Sequence, residues 1–382
     1  MRAPGTVPSS VCPVPRAIDT VRPLARAVRE STAWLRGAAS FLAGSPAGGP
    51  LVSYGQRIPA RHEVAVGGII KLQELQDAFA EAALRFNVLY LVTSRLPDGA
   101  VTQARWAKRK GAKVVLNQNG VAYPAWYGNG WQRENEPIAR LLEIADHVFY
   151  QSAFCKLSAD QFAVPRAGSW EILFNAVDTG RFSPAVPSAR RPLTLLLGGS
   201  QDAWYRLDTA LHALAIVSKR RPDAQLLVTG RLGWSSRRDD ARRQAEARTQ
   251  ELGIADRVTF VGPYAQAGAP DIYRRADLLI HTKYNDPCPG VVIEAMASGL
   301  PVVYSSSGGV PELVGDSAGI GIPAPLDWER NIPPDPGAMA DAILTIADTR
   351  AEYAGAARQR AVDLLDIQRW IARHRAVFEA AA

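Results

Sequence analysis

The chain has 382 residues, 47% of them hydrophobic, and a formal net charge of +7. That length exceeds one ordinary core and fits two domains, and the positive balance favours phosphorylated small molecules, nucleic acid or an anionic membrane surface as partners. Nucleic acid is set aside, because the sequence carries no helix-turn-helix, zinc-ligand or aromatic RNA-binding signature. Cys12, Cys155 and Cys288 are odd in number and lack metal-like spacing, which points to free thiols in a reducing compartment. No stretch reaches the roughly 18 uncharged apolar residues needed to span a bilayer. Arg16, Arg22 and Arg26 also interrupt any secretory apolar core, so a cytosolic location is expected.

Residues 1–19 hold four prolines and no hydrophobic period. Residues 20–43 read as a basic helix (Arg22, Arg26, Arg29, Arg36) with Trp34, Leu35, Phe41 and Leu42 as apolar partners. A surface helix packed on the domain is the first reading, and a helix lying on the inner face of a membrane is the alternative. Strands are expected over 51–54, 86–93 and 113–118, with helices over 70–84 and 100–110 between them; this alternation implies a parallel, helix-covered sheet. The loop before the first helix ends in Gly67 and Gly68, with Lys71 just inside the helix. Such a loop brings backbone N–H groups and a cation to a phosphate, or is an ordinary strand-to-helix turn.

The strand over 113–118 leads into NQNGVAYPAWYGNGW. Amides beside Tyr123, Trp126, Tyr127 and Trp131 suit sugar hydroxyls and sugar C–H faces, and Asn119, Tyr123 and Trp126 are the expected acceptor contacts. The same Asn, Gly and Pro residues also suit a long turn. Further on, a helix capped by Ser152 is expected between strands at 146–151 and 170–174. Residues 183–192, SPAVPSARRP, then read as an interdomain linker. The second half continues with strands at 193–197, 225–229, 257–264, 301–304 and 319–322 and helices at 207–219, 237–251 and 337–380.

Residues 281–315, HTKYNDPCPGVVIEAMASGLPVVYSSSGGVPELVG, organise the second half. They read as strand, loop, helix (291–298, ended by Gly299) and strand, followed by a second glycine loop. Both loops would lie at the carboxyl edge of a parallel sheet, where ligands bind. Pro289, Gly290 and Val291 open a helix whose N–H groups suit phosphate. Glu294 is placed to accept hydrogen bonds from neutral hydroxyls such as those of a ribose.

Asp286 and Glu294, eight apart and followed by AMASGLPVV and GGVPE, resemble the paired-acid signature of the family 4 glycosyltransferases. The resemblance spans residues 50–380. It implies an α/β fold of the GT-B type, two doubly wound Rossmann-like domains facing a central cleft. The implied divisions are a basic extension over 1–45, an acceptor-side domain over 46–186, a donor-binding domain over 187–365, and a helix over 366–382 crossing back to the first domain.

The activity implied is retaining, metal-independent transfer of a sugar from a nucleotide-diphosphate sugar to a hydroxyl on a glycan or lipid-linked acceptor. Cell-surface polysaccharide or glycolipid synthesis is the expected setting, with no cofactor beyond the donor co-substrate. Asp286, Glu294 and Arg206 are the implied catalytic residues. The implied donor contacts add Gly67, Gly68, Lys71, Gly199, Ser200, Gly230, Arg231, Tyr264, Pro289, Gly290 and Val291.

Four positions depart from the family pattern. Asp286 replaces the usual Glu, Ser200 replaces an Arg, Arg206 lies one residue past the usual Lys, and Asn119 stands where a His is common. A nucleotide-sugar epimerase of the same architecture and a non-catalytic donor-binding scaffold are the alternative readings. A dinucleotide oxidoreductase is disfavoured, since no G-x-G-x-x-G follows a strand.

Overall fold

The computed structural model describes residues 22–60, 67–185 and 192–382. The proline-rich residues 1–19, Cys12, residues 186–191 of the linker and the side chains of Arg22, Arg26 and Arg29 lie outside the described part.

Two parallel sheets organise the molecule. The first contains β1 (Val52–Ser53), β2 (Val88–Val92), β3 (Lys113–Gln118), β4 (His147–Tyr150) and β5 (Ser169–Ile172), in the order β1-β2-β3-β4-β5. Every residue of β2 is buried, as a central strand covered by helices on both faces requires. The second contains β6 (Thr194–Leu197), β7 (Gln225–Thr229), β8 (Val258–Gly262), β9 (Leu278–His281), β10 (Val302–Ser306) and β11 (Gly319–Pro323), in the order β11-β10-β9-β6-β7-β8.

The two orders differ in a way that matters for function. In the first sheet each described connection moves one strand in the same direction, so the order does not reverse among the described strands. The second sheet is doubly wound: β6 and β9 lie side by side, and the chain leaves them in opposite directions across the sheet. A crevice opens at such a reversal, outside the carboxyl ends of the strands. The loops after β6 and β9 flank it.

Helix boundaries refine the sequence reading at two places that bear on the site. The helix Gly67–Ala78 includes both glycines in its first turn instead of starting near residue 70. The helix Trp204–Arg220 begins three residues before the expected start, which places Arg206 in its first turn and buries it. Ser152 does cap the helix Ala153–Phe162, its side chain accepting from the Cys155 N–H.

The N-terminal helix Arg22–Ala43 lies on the helix Ala100–Arg109. Gly37 is the point of closest approach, since a Cβ there would collide with the Trp106 indole. Trp34 and Phe41 contact the same ring at centroid distances of 5.7 and 5.6 Å, while Leu35 and Leu42 face outward, exposed.

At the other end, the helix Ile367–Ala381 packs on the first sheet. Trp370, Val377 and Phe378 join Tyr54, Phe79 and Tyr90 in one core cluster. His374 Nε2 lies 3.0 Å from the Tyr90 hydroxyl, and Arg373 Nε donates to Glu171 at 2.7 Å. Burial pushes the His374 ring to about 3, so it stays neutral within this apolar setting. Phe378→Ala is expected to destabilise the first domain by about 3–5 kcal/mol through the cavity it leaves. Denaturant unfolding followed by tryptophan fluorescence checks the loss.

Candidate functional site

The chain turns sharply after β9. Asn285 adopts φ of 51°, the one positive φ outside glycine among the described residues. Asparagine tolerates this left-handed region better than bulky residues do. The turn folds Asp286 back over the end of its own strand. Asp286 Oδ2 lies 3.2 Å from His281 Nε2, and Oδ1 lies 3.2 Å from Lys283 Nζ.

Asp286 is 8% exposed. Burial disfavours its charge, but Lys283, the His281 hydrogen bond and the nearby Arg206 outweigh that penalty and hold the carboxyl well below the usual carboxylate range. His281 is itself buried, which lowers its affinity for a proton against the pull of Asp286.

The second glycine loop closes over the first from behind. Gly309 N–H donates to the Asp286 carbonyl at 2.9 Å. A Cβ on Gly308, whose φ is 66°, would strike the Asp286 backbone, and one on Gly309 would strike Pro287 O and Ser152. Glycine is therefore required where the two loops pass.

The helix Gly290–Ala297 starts at this edge, with Pro289 as its N-cap residue. No side chain caps it, and nothing stands within 4 Å of a Cβ built on Gly290. The Gly290 and Val291 N–H groups lie in the first turn, where intrahelical partners do not exist. Val291 packs against Gly198 and Gly199, so the helix start abuts the loop after β6 at the strand reversal.

Glu294 lies one turn further in, accepting from the Tyr273 hydroxyl at 2.6 Å. Burial pushes its carboxyl up to about 7, against the opposing effects of the Tyr273 hydrogen bond and Arg181. Tyr264 belongs to the same cluster; burial and the Glu294 charge push its phenol up to about 12.

Across the reversal, the loops after β6 and β7 are knitted by backbone bonds. Gln201 N–H donates to the Arg231 carbonyl at 2.8 Å, and Arg231 N–H to Ser200 Oγ at 3.3 Å. Gly230, at φ of 78°, leaves no room for a side chain beside Gly199. Arg206 Nη1 donates to the Ser200 carbonyl at 2.7 Å, while its buried Nε has no hydrogen-bond partner among the described residues. Ser200 thus contributes its carbonyl to orienting Arg206, and Arg231 is exposed.

From the first domain, Lys71 lies near Cys288 in the loop after β9. Burial pushes its ammonium down to about 8, and the neighbouring groups that counter this are the thiols of Cys288 and Cys155. Gly67 is exposed and open, whereas Gly68 is buried against Ser94 and Arg95.

The three acceptor-side residues divide. Asn119 is half-buried, its N–H bonded to Thr93 Oγ1 at 3.0 Å. Trp126 is 58% exposed. Tyr123 is only 4% exposed, packed under Trp328 of the second domain at a centroid distance of 4.9 Å, so its ring face is already occupied.

His281, Lys283, Tyr273 and Trp328 were not singled out from sequence as site residues. The spacing of Lys283 and Asp286 was a usable signal for the first pair, whereas Tyr273 lies 21 positions from Glu294 and offered none. Because Asp286 is held ionised, its contribution to stability is present above the unfolded value near 4 and is lost as pH falls through its lower folded value. Asp286→Asn is therefore expected to flatten the acid limb of a stability profile between about pH 4 and 2, read by denaturation midpoints.

Residues 191–349 match the family model described as Glycosyl transferases group 1. Mannosylfructose-phosphate synthase of Agrobacterium fabrum is 35% identical over 143 residues, covering 35% of this chain and 32% of that protein. A D-inositol 3-phosphate glycosyltransferase of Mycobacterium sp. (strain JLS) is 39% identical over 154 residues, covering 38% and 34%. The chain thus spans about a third of the length of the curated relatives it matches. Among solved structures, Anabaena Alr3699/HepE in complex with UDP superposes with a TM-score of 0.60 at 18% identity, over 77% of this chain and 79% of that one. Sucrose-phosphate synthase from Thermosynechococcus elongatus superposes with a TM-score of 0.59 at 20% identity, over 77% and 73%. Residues 191–349 are thus similar to the group 1 glycosyl transferases, and the two parallel-sheet domains have the GT-B fold.

Proposed function

We propose that this protein is a glycosyltransferase that moves a sugar from a nucleotide-diphosphate sugar to a hydroxyl acceptor, with retention of anomeric configuration and without a metal or other resident cofactor. The observation that carries the reading is the arrangement at the strand reversal. Two first-turn N–H groups, at Gly290 and Val291, stand between an ionised acid, Asp286, and a hydroxyl-accepting acid, Glu294. A diphosphate suits the N–H groups and the neighbouring Arg206. A ribose suits Glu294, and Tyr264 beside it offers a face to the base.

In this reading, negative charge grows on the diphosphate as the glycosidic bond breaks, and donors fixed in advance lower the barrier. Arg206 and the helix N-terminus supply them from the second domain, and Lys71 from the first. Asp286 has both oxygens engaged by His281 and Lys283. It serves as an acceptor for sugar hydroxyls and as a counter-charge to the cationic ring, not as an attacking nucleophile. Asn119 and Trp126 line the acceptor side.

Uridine is the base we assign, by analogy with the superposed structures that contain UDP, UDP with glucose, or UDP-glucose. The acceptor assigned is a glycan or lipid-linked hydroxyl in cell-surface polysaccharide or glycolipid synthesis at the cytoplasmic face of a membrane. Its support is a surface of exposed Trp34, Leu35, Phe41 and Leu42 beside the exposed cations Arg105, Lys108 and Arg109. No described helix is long and apolar enough to cross a membrane. An anionic surface would take the apolar groups at headgroup depth and pair with the cations. Replacing Leu35 and Leu42 together with Ser is expected to abolish co-flotation with vesicles rich in phosphatidylserine; undiminished flotation removes the membrane assignment.

Calorimetric titration with UDP and GDP tests the donor site. UDP is expected to bind and GDP to bind weakly or not at all, with UDP affinity lost in Glu294→Gln. Glu294 is protonated below about pH 7 and accepts hydroxyl bonds best when ionised. UDP affinity is therefore expected to fall about tenfold per pH unit below that value. Binding of neither nucleotide would reduce the reading to fold alone.

A further inference from the structure

A segment of the second domain crosses to the first, next to the site. Residues 325–331 follow β11 and are organised by Asp327, whose Oδ1 accepts from the Glu329 and Arg330 N–H groups at 2.8 and 2.9 Å. From this turn Trp328 enters an aromatic pocket of the first domain. It stacks on Phe154 at 5.3 Å and 23°, and meets Tyr123 and Phe162 edge-on at 4.9 and 5.1 Å. Two hydrogen bonds flank the ring: Ala125 N–H donates to the Trp328 carbonyl at 2.8 Å, and Asn331 Nδ2 donates to the Ala125 carbonyl at 2.9 Å.

The same segment grips the turn that carries Asp286. Tyr284 OH accepts from Asp327 N–H at 2.7 Å, and Asn285 Nδ2 donates to the Asp327 carbonyl at 3.2 Å. Asn285 is the residue held at positive φ, and the loop bonds it directly. Tyr123 completes the circuit, because its phenol faces Asn285 and Asp286 while its ring lies under Trp328.

A second set of cross-domain bonds runs along the helix Ala153–Phe162. Glu312 accepts from the Ala153 and Phe154 N–H groups at 2.6 and 3.0 Å, and Ser152 Oγ donates to the Pro287 carbonyl at 2.7 Å. One helix of the first domain is thus held at its start by the two glycine-bearing loops of the site and along its face by Trp328.

We propose that Trp328 is a positioning residue: by clasping Tyr123, Phe154 and Phe162 across the cleft, it fixes the Tyr284–Asn285 turn and hence Asp286. The aromatic pocket assigned from sequence to an acceptor is then, in part, the receptacle for this clasp. Domain closure, to which the Glu312 and Ser152 bonds also contribute, and the geometry of the acid are thereby linked through Trp328. The functional meaning of Asp286 rests on the glycosyltransferase reading, but the clasp is testable without it.

The test compares the full chain with Trp328→Ala and Trp328→Phe. Solution scattering reports the radius of gyration, and the carbon resonance of a labelled His281 ring reports the Asp286 contact. Trp328→Ala is expected to increase the radius of gyration and to shift or broaden the His281 signal, with Trp328→Phe restoring both. Where Trp328→Ala does not fold, Asn331→Ala removes one exposed bond of the clasp and is expected to move both readouts in the same direction. A folded variant with unchanged scattering and unchanged His281 signal overturns the proposal, as does a Trp328→Phe chain that behaves like the alanine variant. UDP titration of the unsubstituted protein tests the donor reading separately, so absent UDP binding with a normal clasp response overturns only that reading.

Discussion

A carboxylate this deeply buried needs cations or protons beside it, and Asp286 obtains them from its own strand end. His281 and Lys283 precede it by five and three positions, and the reversal at Asn285 brings all three together. Isolated burial of such a charge would drive it to protonate. The surrounding contacts make the ionised form the resting state instead. The glycine pair behind it, the clasp above it and the strand order beneath it all serve to keep that reversal in place.

The neighbouring acid shows the opposite balance. Glu294 has a neutral phenol as its hydrogen-bond donor, so burial prevails and its proton is held to near neutrality. Two acids eight positions apart therefore rest in different protonation states near neutral pH. A single helix N-terminus separates them. This asymmetry suits a ligand with a cationic or hydroxyl-rich portion near one acid and a neutral diol near the other, joined by an anion.

Much of the architecture was legible in the residues. Alternating apolar runs and amphipathic stretches gave the parallel strands and their helices, because strands covered on both faces must be continuously apolar. The stretch 281–315 was legible because its glycines and prolines permit few backbone paths. Other features depend on tertiary context that periodicity does not encode. The strand order of the first sheet, which runs without reversal, follows from connections whose direction leaves no mark on composition. The helix Trp204–Arg220 starts earlier than expected because Trp204 and Tyr205 precede the apolar period that begins at Leu207. Tyr123 looked like a sugar platform, and only the folded chain shows Trp328, two hundred positions away, covering its ring. His281 is a buried imidazole at the end of its strand, and only the folded turn reveals Asp286 as its hydrogen-bond partner.

The helix Ile367–Ala381 has a consequence for how the molecule is made. Tyr90 lies in β2, yet its hydroxyl partner and several of its apolar neighbours are supplied by residues 370–378. During synthesis the first sheet emerges before residues 367–381, so part of the face it shares with the helix Gly67–Ala78 stays uncovered until that later helix is added. Completing the first domain therefore depends on residues that follow the second, against the usual N-terminal-first order for a growing chain. The second domain, whose strands and helices are contiguous in sequence, can consolidate before the first. A chaperone that shields apolar sheet faces would affect this protein through its first domain.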